Sequence, residues 1–309
     1  MKILGTGSAL PEKVVTNDDL ARVMDTSDEW IRTRTGIQKR HIAVNETTTS
    51  MAVEAAKKAL DEAKIFINDL DLIIAATVSP DYIFPTLACE VQAAVGAKNA
   101  TAFDLGAGCS GFLFALATAD AYFKTGRYKN ALIIGAETLS KMMDWGDRST
   151  CVLFGDGAGA AVVSAQGEQL LSMVQGSDGS GGMALKCDNR PVNNLYHQMG
   201  AQQYSFTQME GSAVYKFAVR TVPHAISEAL EKAGVPVDDV KLFVLHQANL
   251  RIIESVAKRL RQPMEKFPTN LEECGNISAA SVPILLDKVR KDGMISKGDK
   301  IVMAGFGAG

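Results

Sequence analysis

No stretch of this chain stays apolar for the roughly 20 residues that a bilayer crossing takes. The most notable charge-free apolar stretch lies between Asp104 and Asp120, and Gly106, Gly108 and Gly111 interrupt it. The N-terminal Met1-Lys2-Ile3-Leu4-Gly5-Thr6-Gly7 has no apolar signal core. The expectation is a soluble, cytoplasmic protein with no membrane partner. A basic surplus is also missing: 32 Lys and Arg stand against 35 Asp and Glu, a net charge of −3. Proteins that coat nucleic acid concentrate positive charge, so that class is excluded. Cysteine is sparse and scattered. Cys89, Cys109, Cys151, Cys187 and Cys274 form no C-x-x-C pair, which suggests neither a disulfide framework nor a zinc site. Histidine is rarer still, with only His41, His197, His224 and His246 available for chemistry.

What is present is an ordinary globular balance, 47% hydrophobic and 22% charged over 309 residues, too apolar for disorder. Domains of about 100–200 residues make two the prior. An internal repeat supports it. Ala55–Ala76 shifted by 170 falls without a gap on Ala225–His246. Both stretches read as an amphipathic helix, a turn around Asp, and a β-rich run, Leu72–Ala76 in one and Leu242–Leu245 in the other. At a shift of 167, Gly108-Cys109 meets Gly275-Asn276, Asp120 meets Asp287 and Gly126 meets Gly293. Ala131–Gly135 and Ile301–Ala304 then read as one more strand in each half.

Each half is therefore expected to run strand–helix–strand–helix–strand, in a layered α/β fold of two pseudo-symmetric halves. The boundaries are 1–165 and 166–309, with a Gly- and Ser-rich lid at about 166–211. The first half adds a late strand-like run at Ala158–Val163. No counterpart follows Ile301–Ala304, so a final strand is expected to be missing.

Three residues stand out. Cys109 sits in a glycine-rich turn between strand-like Ala100–Leu105 and an apolar helical stretch from Phe112 to Phe123. A sulfur at a helix N-terminus is expected to have a lowered pKa; the alternative is an inert buried cysteine. His246 ends a buried strand, where sites of α/β proteins gather, or is a hydrogen-bonded core histidine. Asn276 occupies the place in the second half that Cys109 holds in the first. It is either a helix cap or a neutral donor to a developing oxyanion.

Taken together, Ala107-Gly108-Cys109-Ser110-Gly111-Phe112, Leu153-Phe154-Gly155-Asp156-Gly157-Ala158-Gly159-Ala160, His246-Gln247-Ala248-Asn249 and Gly275-Asn276-Ile277-Ser278-Ala279-Ala280-Ser281 resemble thiolase-fold condensing enzymes. The likeness is greatest to the 3-oxoacyl-[acyl-carrier-protein] synthase III family. The resemblance implies a αβαβα thiolase-like fold and a decarboxylative condensation of a short acyl-CoA with malonyl-[acyl-carrier-protein]. Cys109 is then the acylated nucleophile, with His246 and Asn276 holding the second substrate. Backbone N–H groups of Cys109 and Ala308 form the oxyanion hole. Thr26, Trp30, Arg34, Arg148, Asn249 and Arg251 match contacts to coenzyme A, with Trp30 and Arg148 sandwiching its adenine. Phe84 matches a residue that closes a dimer partner's acyl pocket, which Leu139, Phe154 and Phe306 line.

Helix 250–260 turns Arg251 and Lys258 away from its apolar face with Arg259 beside them, a surface suited to an acidic acyl carrier protein. Coenzyme A thioester enters as substrate, and because decarboxylation supplies the carbanion, no metal or redox cofactor is expected. The implied partners are acyl-CoA, acyl carrier protein and a second copy of the chain. Family members continue past Gly307-Ala308-Gly309 by about a strand's length, so lowered stability and activity are expected here. Within the same fold the alternative is a condensing enzyme of specialised metabolism with a non-carrier acceptor. A dinucleotide-binding reading fails because Gly5-x-Gly7 and Gly155-x-Gly157-x-Gly159 both miss G-x-G-x-x-G.

Overall fold

The computed structural model describes residues 1–167, 170–197 and 205–308. Parts of the expected lid, 168–169 and 198–204, and the terminal Gly309 lie outside the described residues. The chain opens with β1 (Lys2–Ala9). The antiparallel pair β2 (Val14–Thr16) and β3 (Lys39–His41) brackets α1 (Asn17–Ala21) and α2 (Asp28–Thr35). Helix α3 (Thr48–Ala63) precedes β4 (Leu72–Ala76), α4 (Leu87–Val95) precedes β5 (Thr101–Leu105), and α5 (Gly111–Lys124) precedes β6 (Asn130–Thr138) and β7 (Asp156–Ser164). A two-residue ladder joins β8 (Leu185–Lys186) to β9 (Gln208–Met209). Then come α6 (Gly211–Ala233), β10 (Leu242–Leu245), α7 (Leu250–Leu260), α8 (Leu271–Cys274), α9 (Ser281–Lys291) and β11 (Ile301–Ala304).

The first sheet runs β1-β7-β6-β4-β5. β4 is parallel to β5 and β6, while β7 is antiparallel to both β6 and β1. The period-2 alternation of side chains builds the layers. Leu72 and Ile74 of β4 face α5, and Ile73 and Ala75 face the alanine-rich side of α3. The same split recurs 170 residues later. Leu242 and Val244 of β10 face α9, whereas Phe243 and Leu245 face α6 and α7. Helices α5 and α9 thus form a central layer between two sheets, with α3 and α4 outside one sheet and α6 and α7 outside the other. The expected five layers are present. The halves are fastened by Asp287 of α9, which is buried and accepts from Thr6 Oγ1 at 2.9 Å, Ser8 Oγ at 2.5 Å and Lys291 Nζ at 2.7 Å.

Local detail follows the repeat. The turns Ile67–Asp69 and Val237–Asp239 are both single 3₁₀ turns. Left-handed residues recur in register: Lys64 (φ 53°) with Gly234 (63°), Gly108 (48°) with Gly275 (66°), and Gly126 (76°) with Gly293 (69°). One expected strand does not form. Between α7 and α9 the chain buries Phe267 against Phe243, with ring centroids 4.6 Å apart, but Pro268 follows and cannot donate to a ladder. Among the described residues β11 pairs only with β10, in parallel. A groove of about 1720 Å³ lies beside it, lined by Ile3, Leu171, Met173, Ile301 and Met303 among others.

Candidate active site

Two glycine turns open the two central helices. Gly108–Ser110 runs straight into α5 and Ser278–Ala280 into α9. The helix starts lie against each other, and a Cβ placed on Gly111 would stand 3.4 Å from Ala279 Cβ. Cys109 and Asn276 therefore approach one point from opposite halves. His246 arrives from the end of β10. Its N–H donates to Ala304 O at 2.8 Å, and its ring meets Phe306 edge-on at 5.2 Å between centroids. The segment after β11 closes over the sulfur: a Cβ on Gly307 would lie 2.9 Å from Cys109 Sγ. Cys109, His246, Asn276, Phe306 and Ala308 are thus gathered around one centre.

The expected lowering of the Cys109 pKa is not met. Burial pushes the thiol up to about 11. The Ser278 hydroxyl and the Ala308 N–H pull in the other direction, and the charge of Glu137 adds to the rise. Removal from water outweighs the helix N-terminus here. His246 is 1% exposed, and burial lowers its pKa to about 3. Its imidazole is neutral, and Nδ1 has no partner among the described residues. The capping reading of Asn276 is met. Oδ1 accepts from Ser278 N–H at 2.9 Å and so caps the following turn. That leaves Nδ2 without a protein acceptor among the described residues.

The six residues matched to coenzyme A contacts also cluster. Two guanidinium groups lie over the ring of Trp30 on α2, Arg34 at 4.7 Å and Arg148 at 5.1 Å from its centroid. Arg148 is anchored to Asp25 by an ion pair of 3.2 Å. Asn249 caps α7 and donates to Arg34 O at 3.1 Å, while Arg251 donates to Thr33 O at 2.8 Å. Thr26 Oγ1, nearby in sequence, is buried and has no partner among the described residues. Leu139, Phe154 and Phe306 share one core cluster, but Phe84 does not join them and stands 83% exposed beside Tyr82 and Ile83. Lys258 and Arg259 are exposed on α7, as is Arg251.

Sequence reasoning missed two residues. Glu137, the penultimate residue of β6, is wholly buried and accepts from Ser79 Oγ at 2.5 Å, Val78 N–H at 3.0 Å and Thr77 Oγ1 at 3.2 Å. Ser278 is a non-glycine residue at φ 43°. A carboxylate closing an otherwise apolar strand was the one available signal for Glu137.

A buried Cys, His and Asn meeting between duplicated layers describe a thiolase-like condensing enzyme. A family model for 3-oxoacyl-[acyl-carrier-protein (ACP)] synthase III matches residues 103–179, and the model for that family's C-terminal part matches residues 230–309. The beta-ketoacyl-[acyl-carrier-protein] synthase III of Clostridium novyi (strain NT) is 48% identical over 310 residues, covering 100% of this chain and 96% of the relative. The crystal structure of 3-oxoacyl-[acyl-carrier-protein] synthase III from Aquifex aeolicus VF5 superposes with a TM-score of 0.92 at 48% identity, over 99% of this chain and 96% of that one. The priming beta-ketosynthase of the R1128 polyketide pathway follows the same fold, with a TM-score of 0.91 at 36% identity over 99% and 92%. The chain belongs to the 3-oxoacyl-[acyl-carrier-protein] synthase III family.

Proposed function

We infer that the chain is an acyltransferase that starts fatty acid synthesis by condensing a short acyl-CoA with malonyl-[acyl-carrier-protein]. The convergence of Cys109, His246 and Asn276 from two halves is the observation that carries this reading. Cys109 Sγ attacks the acyl-CoA carbonyl, and the N–H groups of Cys109 and Ala308 hold the tetrahedral oxyanion. Coenzyme A leaves and the malonyl thioester enters. His246 is neutral, so it donates a hydrogen bond to the thioester carbonyl without giving up a proton, and Asn276 Nδ2 supplies the second donor. Both strengthen as carbon dioxide departs and negative charge gathers on that oxygen. The carbanion attacks the acyl-Cys109, forming the 3-oxoacyl product and releasing the sulfur. The electron pair comes from the breaking carboxyl bond, so the chemistry calls for no metal or redox cofactor.

Coenzyme A enters past Trp30. A purine held on both faces needs its neighbours roughly 7 Å apart, two contact distances. Arg148 therefore swings off Trp30 and releases Asp25, an exposed ion pair that costs little to break. Arg251, Lys258 and Arg259 steer the acidic carrier protein to this entrance. Exposed Tyr82, Ile83 and Phe84 form an apolar patch that a second copy covers, in a cytoplasmic homodimer. Radiolabelled acetyl-CoA tests the reading. Label should lodge on Cys109 and vanish in Cys109→Ala, and malonyl-[acyl-carrier-protein] should then discharge it. Label in both proteins, or discharge by malonyl-CoA alone, would refute it.

A further inference from the structure

We propose that Arg40 is a positioning residue of the condensation: its buried guanidinium holds the segment between β6 and β7 against the turn that presents Asn276. This rests on Asn276 being a donor in the second stage, as inferred above, and deepens that reading.

Arg40 is the middle residue of β3 and is 0% exposed. A cation taken out of water is retained where its donors are spent in fixed geometry, and a guanidinium presents its donors in one rigid plane. The partners here are not carboxylates. Nη1 donates to Asn17 Oδ1 at 2.9 Å and to Val15 O at 3.3 Å, and Nη2 donates to Val152 O at 2.6 Å. Nε has no partner among the described residues. Burial lowers the pKa to about 10, so the group stays charged at neutral pH. One planar head thus ties β2 and the start of α1 to a carbonyl 112 positions along the chain from Arg40.

The residues after Val152 carry the link to the site. Asn276 N–H donates to Leu153 O at 2.9 Å, and Gly155 N–H donates to Asn276 O at 3.0 Å. These two bonds form a parallel bridge that pairs Phe154 with Asn276. The stem of Arg40 lies against both sides of it. A Cβ on Gly155 would stand 3.3 Å from Arg40 Cβ, and one on Gly275 would stand 3.4 Å from it. Head and stem of one side chain therefore fix the backbone that bears the Asn276 amide. The far end of the clamp is secured as well. Asn17, 1% exposed, donates through Nδ2 to Ile37 O at 2.8 Å and to Asp28 Oδ1 at 2.9 Å. Asp28 opens α2, the helix that carries Trp30 and Arg34.

Cys109 is held by other elements. Its turn leads into α5, and Gly305 and Gly307, which lie against it, follow β11. The hydrogen bonds of Arg40 among the described residues go to β2, α1 and residue 152 instead. Loosening Arg40 lets Asn276 drift while the sulfur stays in place. Lysine is a poor substitute, because a single ammonium lacks the planar fork that spans these acceptors.

The test separates the two stages in the full chain. Native protein, Arg40→Met and Arg40→Lys are charged with saturating radiolabelled acetyl-CoA and then mixed with malonyl-[acyl-carrier-protein]. Arg40→Met should take up label at Cys109 at close to the native rate but discharge it about a hundredfold more slowly, the loss that a misplacement of about 1 Å carries. Arg40→Lys, which keeps the charge and the stem without the fork, should discharge about tenfold more slowly. In an Asn276→Ala background, Arg40→Met should cost nothing further, because both changes act on one donor. A role in stability alone would slow both stages together or multiply the loss of Asn276→Ala. Discharge by Arg40→Met at the native rate, equal losses in both stages, or losses that multiply in the double variant overturn the positioning role. If Arg40→Met does not fold, Arg40→Lys enters the same cycle and the same outcomes decide. Native Cys109 left unlabelled, or Asn276→Ala that discharges at the native rate, overturns the two-stage chemistry instead, so the two failures are distinguishable.

Discussion

The segment after β11 lies over Cys109, the proposed nucleophile, and Gly307→Ala tests how closely. Gly307 has φ 151°, in a range that L side chains rarely adopt. Holding alanine there costs about 1–3 kcal/mol. The new Cβ would also stand 2.8 Å from Cys109 Cβ and 2.9 Å from Sγ. Ordinary carbon contacts begin near about 3.5 Å, so something must give by roughly 0.7 Å. Either the sulfur shifts or residues 305–308 lift away, taking the Ala308 N–H with them. A displacement approaching about 1 Å at a reacting centre costs roughly a hundredfold in rate. We therefore expect single-turnover acylation by radiolabelled acetyl-CoA to fall by about two orders of magnitude. Lifting the segment relieves the strain locally, so the melting temperature should fall by only about a few degrees. Gly181→Ala, where no atom of the described residues lies within 4 Å of the added carbon, should acylate normally. Acylation of Gly307→Ala within twofold of native would refute the placement of this segment over Cys109.

Asn276→Ala should slow condensation by about 10²–10³-fold while acylation persists, so labelled acyl-Cys109 accumulates; loss of both stages together would contradict the division of labour. His246 has a folded pKa of about 3 against 6.5, so the unfolded chain binds the proton first. Its contribution is complete above the unfolded value and drains as pH falls towards the folded one, at about 1.4 kcal/mol per unit. Urea unfolding between pH 4 and 7 should therefore fall more steeply for native protein than for His246→Asn, and parallel curves would exclude a neutral buried imidazole. Trp30→Ala should weaken coenzyme A binding by the about 1–3 kcal/mol of a base stacked on an aromatic ring, measured by calorimetry, and unchanged affinity would move the adenine elsewhere.

The layers were legible because the repeat carries them. Leu72 and Leu242 begin strands whose alternate side chains divide in the same way between central and outer helices. The turns holding Cys109 and Asn276 share a left-handed glycine just before the functional residue. What failed was what depends on depth. A helix N-terminus is a local feature, but burial overrides it at Cys109, and residues distant in the chain, Gly305 and Gly307, lie against it. The middle strand of the second half does not form where Pro268 removes a backbone donor. Glu137 escaped notice because its partners, Thr77 to Ser79, are brought to it only by the pairing of β4 with β6.

Helices α5 and α9 direct the same end at the reaction centre, one from each half. Each presents roughly half a positive charge there. In the mechanism proposed above, the negative charge of acylation sits on sulfur and on the acyl oxygen, on the side of the first half. In the same proposal, condensation moves it to the thioester oxygen beside His246 and Asn276, on the side of the second. A single stationary support then serves two successive anions, and only the substrates need to travel.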